Sequence, residues 1–339
     1  MKAFYDPRHA DHHPQFFLVR GQVRKSTEVP ARADQLREGL EQAGHKLRPP
    51  RRFGLDPVRA VHTAEYLRFL EEAPAAWAAL DDASAEIISN VHPNRHEAGG
   101  YPDSIIGRAG WHMADTACPL GPQTYAAALA AADAALTAAD TVLSGERAAY
   151  ALCRPPGHHA YADMAGGFCF LNNTAIAAEY LRRHSKRVAV LDVDLHHGNG
   201  TQGIFWQRGD VMTISVHADP AQFYPFFWGY AGERGSGEGE GANLNLPLAL
   251  GTGDEGFLTA LEVAAEALHG FAPSYLVVAL GLDASEDDPF GGLAITTDGF
   301  ARIGAALDGL GLPTVLVQEG GYLSPVLGRN LAAVLGAFE

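Results

Sequence analysis

Short apolar runs, each closed by glycine or a polar group, recur through the second half of the chain. They lie at Ala148–Cys153, Val188–Leu191, Val211–Val216, Asn243–Leu246, Tyr275–Leu280 and Thr314–Gln318. Runs of this length, mostly apolar throughout rather than alternating, predict strands covered on both faces, as in a parallel sheet. Helical spacing fills the gaps between them at 172–184, near 201–207, at 254–270 and at 297–310, and a last helix closes the chain. In the first half, Lys2–Tyr5 predicts a strand stopped by Asp6-Pro7. Residues 31–44 predict a helix with Leu36, Leu40 and Ala43 on one face and Gly44 at its end. A second helix is predicted over 57–73, with Tyr66, Phe69 and Leu70 inward and Pro74 as its stop. The alanine-rich stretch 124–144 is interrupted by Asp133 and Asp140, so burial against a sheet explains it better than a membrane does. Residues 9–28 and 91–123 show no clean period and predict long loops, which in compact domains are usually functional. Strand–helix units without a repeat or a linker predict one α/β domain over 1–339, a mainly parallel sheet with helices on both faces.

Composition changes this picture little. With 47% hydrophobic and 19% charged residues the chain has an ordinary globular make-up. Its formal charge of −15 argues against a nucleic-acid partner and favours cationic substrates. Three cysteines, Cys118, Cys153 and Cys169, predict reduced thiols and a cytoplasmic protein. The opening MKAFYDPRHADHH has no signal-peptide segment, and no membrane span is expected.

Chemistry concentrates where predicted strands end. Residues 187–201 read RVAVLDVDLHHGNGT, an apolar run that breaks into Asp192, Asp194, His196 and His197 before Gly198. In an open α/β sheet, ligands bind beyond the carboxyl ends of the strands. The other strands end near His158 and His159, His217, Asp283 and Tyr322. Singly, each has a bland explanation as a helix cap, a hydrogen-bonded core histidine or a core tyrosine. Parallel strands bring them to one rim, and together they predict a metal centre with an acid–base pair beside it. Asp194, His196 and Asp283 would supply three ligands and leave positions for water and substrate. Two carboxylates offset the ion's charge, so a nearby base is needed, and the tandem His158-His159 supplies one. Asp192 and Asn199 suit the two imidazoles as partners, and a carboxylate and an amide would give them different proton affinities. Tyr322 could donate to a developing oxyanion, with Gly320 and Gly321 letting it swing in. Phe168 and Tyr224 could wall a narrow apolar channel, although core packing is the default role for aromatic residues.

RPPGHHA, GGFCFLNN, DVDLHHGNGT, ISVHAD, GLDASEDDP and EGGY stand in the order and spacing of the histone deacetylase family, which the chain resembles over essentially its whole length. VHTAEYLRFL and HPNRHEAGGYPDSIIGRAGWHMADT look most like the bacterial acetylpolyamine amidohydrolase branch. The resemblance implies the arginase–deacetylase fold with an eight-stranded sheet. It implies one zinc ion per chain at Asp194, His196 and Asp283, with ferrous iron as an alternative occupant. His159 would be general base and then acid, His158 its electrostatic partner and Tyr322 the oxyanion donor. Gly167 would offer its carbonyl to the substrate amide, between Phe168 and Tyr224 as tunnel walls. A structural potassium or sodium ion would sit on Asp192, Ser215 and the backbone of Asp194, His196 and Val216.

Two departures stand out. Asn199 replaces an aspartate of some members, as it does in polyamine-type and class II enzymes. Phe17 and Ile106 fall where the best-known acetylpolyamine enzymes carry acidic residues; only Asp115 keeps a charge there, with one placement of a gap. The implied reaction is hydrolysis of a small acetylated amine by a homodimer whose long loops narrow the mouth. An acetyl-lysine protein or peptide deacetylase is the alternative. An arginase-like ureohydrolase would need a second metal, and Ala284-Ser285-Glu286 offers no aspartate in the required place. A non-catalytic acetyl-amine binding protein would be expected to lose Tyr322 or a ligand, and it has lost neither.

Overall fold

The computed structural model describes residues 1–94 and 99–338. Its main sheet has eight parallel strands. They are β1 (Lys2–Phe4), β4 (Leu47–Arg48), β5 (Ala148–Ala151), β6 (Val188–Asp192), β7 (Val211–Ala218), β8 (Asn243–Leu248), β9 (Tyr275–Leu280) and β10 (Thr314–Gln318). The spatial order is β4-β1-β5-β10-β9-β6-β7-β8. A separate antiparallel hairpin joins β2 (Phe16–Val19) to β3 (Gln22–Lys25).

Each central strand is covered on both faces. In β6, Val188 and Val190 enter one core while Ala189 and Leu191 enter the other. β10 divides the same way, with Val315 and Val317 against Leu316. Alternate side chains of a strand point to opposite faces, so a strand buried on both sides shows an unbroken apolar run. Truncating such a residue, as in Leu191→Ala, should cost ~2–5 kcal/mol through lost transfer energy and the cavity left behind.

One face carries α3 (Ala64–Ala78), α5 (Thr124–Leu143) and α6 (Asn173–Arg182); the other carries α1 (Pro30–Gln42), α8 (Asp254–Phe271), α9 (Thr297–Gly309) and α10 (Leu327–Leu335). Three shorter helices are also present among the described residues: α2 (Asp56–Arg59), α4 (Ile105–His112) and α7 (Asn199–Phe205). By length and composition α5 could cross a membrane, yet most of it is buried within this fold. Its alanines let it lie close to the sheet and to α6.

Several sequence expectations are corrected. The expected loop 9–28 contains the hairpin, whose two-residue turn, Arg20-Gly21, has positive φ at both positions (50° and 75°). That geometry matches the twist of antiparallel strands and suits glycine. The strands escaped notice because β3 is exposed throughout and β2 buries only Phe17 fully, which leaves no alternation. The expected loop 91–123 contains α4, capped by the Ser104 hydroxyl on the Ile106 N–H, and its residues 95–98 lie outside the described residues. The helix expected over 57–73 is two helices, α2 and α3, with Thr63 capping the second. Pro74 does not stop α3, which runs on to Ala78.

Candidate metal centre and active site

Four adjacent strands deliver the site. β6 ends in Asp192 and leads to Asp194 and His196; β9 leads to Asp283; β10 leads to Tyr322; β5 leads to His158 and His159. One ligand atom each from Asp194, His196 and Asp283 lies within 4.8 Å of the others, and all three residues are buried. His196 Nδ1 is 3.0 Å from Asp283 Oδ2 and 3.2 Å from Asp194 Oδ1.

The backbone aims these groups. The Asp194 N–H donates to Asp192 Oδ1 (3.0 Å), the Leu195 N–H to Asp283 Oδ1 (3.1 Å) and the Gly320 N–H to Asp194 Oδ2 (2.7 Å). A Cβ at Gly281 would strike the Asp194 carboxylate, and one at Gly320 would strike Asp283. Two buried carboxylates forced this close require positive charge. Burial opposes a proton on His196, but its hydrogen bonds to Asp194 and Asp283 outweigh that and raise its pKa to about 9. A divalent cation satisfies the same demand, and a carboxylate, carboxylate and imidazole set with open positions suits one.

The rings of His158 and His159 lie 4.0 Å apart, tilted by 42°, but have different partners. His158 Nδ1 is 2.9 Å from Asp192 Oδ2, and His159 Nδ1 is 2.6 Å from Asn199 Oδ1. Burial works against charge on both. On His158 the carboxylates of Asp194 and Asp192 overcome it, and the pKa rises well above the ordinary value. On His159 burial prevails, reinforced by His158 and His196, and the pKa falls well below it. Asn199 Nδ2 donates to the Tyr161 hydroxyl (3.3 Å), which turns its oxygen toward His159. His159 therefore carries its proton on Nδ1 and leaves Nε2 basic.

Above this pair, Tyr224 meets the His159 ring edge-on at 4.9 Å. Its hydroxyl donates to Asp115 Oδ2 (2.6 Å), which also accepts the Gly167 N–H (3.1 Å). Asp115 thus lies inside the wall of the site. Phe168 follows with φ of +70°, in the left-handed region that costs a bulky residue, and packs with Phe17 and Tyr322. Phe17 is buried 5.4 Å from Phe168, whereas Ile106 is exposed.

The main chain before Tyr322 is hydrogen-bonded on both sides. The Glu319 N–H donates to the Leu280 carbonyl (2.9 Å), Gly320 bonds at both its N–H and its carbonyl, and Arg32 donates to the carbonyls of Glu319 (2.7 Å) and Gly321 (2.5 Å). Glycine is needed here for close approach. Burial raises the Tyr322 pKa well above 10.0 against the opposing charge of Arg32, so the phenol keeps its proton.

His217 lies at the carboxyl end of β7 but does not join the trio. Its ring bonds to the Ser215 hydroxyl (2.8 Å) and the Gly229 carbonyl (2.8 Å) and packs on His197. Asp192 and Ser215 are register partners across β6 and β7, both buried.

Sequence reasoning missed Glu319, which accepts the N–H groups of Gly157 (2.6 Å) and His158 (3.0 Å) and the Thr174 hydroxyl (2.7 Å). Burial, with Asp192 adding to it, raises its pKa to about 7 against the pull of His158. A charged residue directly after an apolar strand was the available signal. Also missed was the buried triad of Glu28 with Arg32 (2.8 Å) and Arg154 (2.8 Å).

Together the fold and this donor set describe a class, α/β proteins with a candidate metal centre at the carboxyl end of a parallel sheet. Comparison with known proteins narrows it: the histone deacetylase domain matches residues 26–338, and the chain belongs to the histone deacetylase family. It is 46% identical to the acetylpolyamine amidohydrolase of Burkholderia pseudomallei over 339 residues, covering 100% of this chain and 98% of that one. Identity to acetylpolyamine amidohydrolase 1 of Pseudomonas aeruginosa is 42%, covering 100% and 99% of the two chains. A crystal structure of acetylpolyamine aminohydrolase from Burkholderia pseudomallei superposes with a TM-score of 0.96 at 46% identity, covering 100% of this chain and 98% of that one.

Proposed function

We propose that this chain removes the acetyl group from small acetylated polyamines, releasing acetate and the free amine. The observation that carries this reading is the pairing of His158 with Asp192 and of His159 with Asn199 beside the Asp194, His196 and Asp283 trio. Those three residues would hold one divalent ion, zinc or ferrous iron, which when bound polarises the acetyl carbonyl and acidifies water. Neutral His159 takes the proton of the attacking water at Nε2. Positive His158, held by Asp192, favours the negative charge that develops beside it. Tyr322 donates its hydroxyl to the oxyanion of the tetrahedral intermediate. The Gly167 carbonyl accepts the substrate amide N–H, while Phe168 and Tyr224 hold the methylene chain between them. His159 then delivers its proton to the leaving nitrogen. A potassium or sodium ion on Asp192, Ser215 and the backbone of Asp194, His196 and Val216 would stiffen the carboxyl end of β6.

The names of the relatives support the polyamine substrate, as does the −15 charge, which draws cations. The free, buried cysteines suit a reducing cytoplasm. One observation favours the second reading, an acetyl-lysine peptide deacetylase: Phe17 packs with Phe168 and Tyr322 and makes its part of the wall apolar. Purified protein should be assayed against N-acetylputrescine, N-acetylcadaverine, acetylspermidines and an acetyl-lysine peptide. Faster turnover of the small amines is expected, and a higher kcat/KM on the peptide would transfer the assignment.

A further inference from the structure

Asp288 is a buried carboxyl in the loop that follows Asp283, outside the donor trio. Both its oxygens are engaged. Oδ2 accepts the main-chain N–H of Tyr322 (2.9 Å), and Oδ1 accepts that of Phe290 (2.9 Å). The two residues so held meet each other: the Phe290 and Tyr322 rings lie 4.6 Å apart. Phe290 also packs 5.8 Å from His196, and Phe168 lies 5.9 Å from Tyr322 on another side. Across the segment, Arg32 binds the carbonyls of Glu319 and Gly321 and places its guanidinium 4.7 Å from the Tyr322 ring. Arg32 thus grips the segment by its carbonyls, and Asp288 grips Tyr322 by its N–H.

An oxyanion donor works only when its hydroxyl meets the oxygen that charge develops on, at about 2.7–3.1 Å. The Tyr322 hydroxyl is at the far end of its ring, so a small turn of the main chain is magnified there. A misplacement of about 1 Å can cost on the order of 10²-fold in rate. We propose that Asp288 is a positioning residue for the reaction, fixing the Tyr322 hydroxyl through the Tyr322 main chain and the Phe290 ring. The inference rests on the reading of Tyr322 as oxyanion donor.

A double-mutant cycle on the full, metal-loaded chain tests it, with N-acetylputrescine as substrate. Asp288→Ala should lower kcat by about 10-fold or more, with KM changed less than about 3-fold and metal content unchanged. In a Tyr322→Phe background the same substitution should cost less than about 2-fold, because the group it positions is gone. Asp288→Asn keeps one acceptor oxygen and should fall between, and it serves for the cycle if the alanine variant does not fold. Equal losses with and without the Tyr322 hydroxyl, or wild-type kcat in both Asp288 variants, would overturn the proposal. Full turnover by Tyr322→Phe alone would instead remove the donor reading and the proposal with it.

Discussion

His158 and His159 are neighbours in sequence with rings 4.0 Å apart, yet one is held by a carboxylate and the other by an amide. The difference sets their charges. A buried imidazole is driven neutral unless anions compensate; Asp194 and Asp192 do so at His158, whereas at His159 burial, His158 and His196 outweigh the pull of Asp194. One adjacent pair therefore offers a group that favours its proton and one that favours the neutral form within a single site.

If His159 moves both protons, His159→Ala should lose on the order of 10²-fold or more in kcat. His158→Ala should also lose activity, because charge disappears beside the reacting carbonyl. Steady-state kinetics on metal-loaded variants decide the matter. Near-normal turnover in His159→Ala would sink the assignment.

Asn199→Asp provides a pH test of the same pair. His159 works as a base when neutral, above its pKa, and a carboxylate at position 199 would raise that pKa by favouring the charged form. The acid limb of kcat/KM should move upward by about one unit or more, with activity retained at high pH. An unmoved limb would mean that another group controls it.

The parts of the site that were legible share one property: a ligating residue stands directly behind an apolar strand. Asp192, Asp194, His196 and Asp283 could be found that way, because parallel topology brings strand ends together whatever their separation in sequence. Glu28, Arg32 and Arg154 could not, since their ion triad forms only when α1, the segment before it and the loop after β5 close on each other. The edge strand β4 has only two residues, too few to show a pattern. Asp288 stands in the run Glu286-Asp287-Asp288 after Asp283, and only the fold reveals that it bonds to Tyr322.

Glu28 should be critical to stability. It is buried between two buried guanidiniums, and although burial disfavours its charge, Arg154, His12 and Arg32 hold its pKa well below the ordinary 4.5. A depressed carboxyl contributes stability that is present above its unfolded pKa and lost as pH falls toward its folded value. Glu28→Gln should therefore destabilise by about 3–5 kcal/mol at pH 7, leaving two buried cations poorly compensated. The deficit against wild type should narrow at strongly acidic pH. Denaturant unfolding at both pH values measures it, and a loss under about 1 kcal/mol would show the triad to be dispensable.

The donor trio implies about one catalytic divalent ion per chain. Chelation should abolish turnover, and one equivalent of zinc should restore it. Asp283→Asn should bind the metal more weakly by removing a charged ligand. Elemental analysis showing two equivalents in a binuclear centre would instead favour ureohydrolase chemistry.

Substrate size should be decided at the mouth, where apolar surface is left uncovered. Leu18, Val19 and Val23 project from the β2–β3 hairpin, Ile106 from α4, and Phe226, Phe227 and Trp228 from the loop that carries Tyr224; Phe227 is 81% exposed. Isolated exposed apolar residues are ordinary, but several on segments that reach the site suggest a covered surface. The hairpin connects the two regions, since Phe17 packs inward against Phe168 while Val23 faces outward at 67% exposure. A second copy of the chain covering these segments would narrow the entrance to slender chains and exclude folded proteins by steric conflict. Sedimentation should then give a dimer, and Val23→Asp with Phe227→Asp should shift it toward monomer. The monomer should gain access to acetylated protein while keeping turnover on N-acetylputrescine within a few-fold. A wild-type chain that sediments as a monomer and deacetylates an intact acetylated protein as fast as N-acetylputrescine would show that the mouth is open and that its loops do not select the substrate.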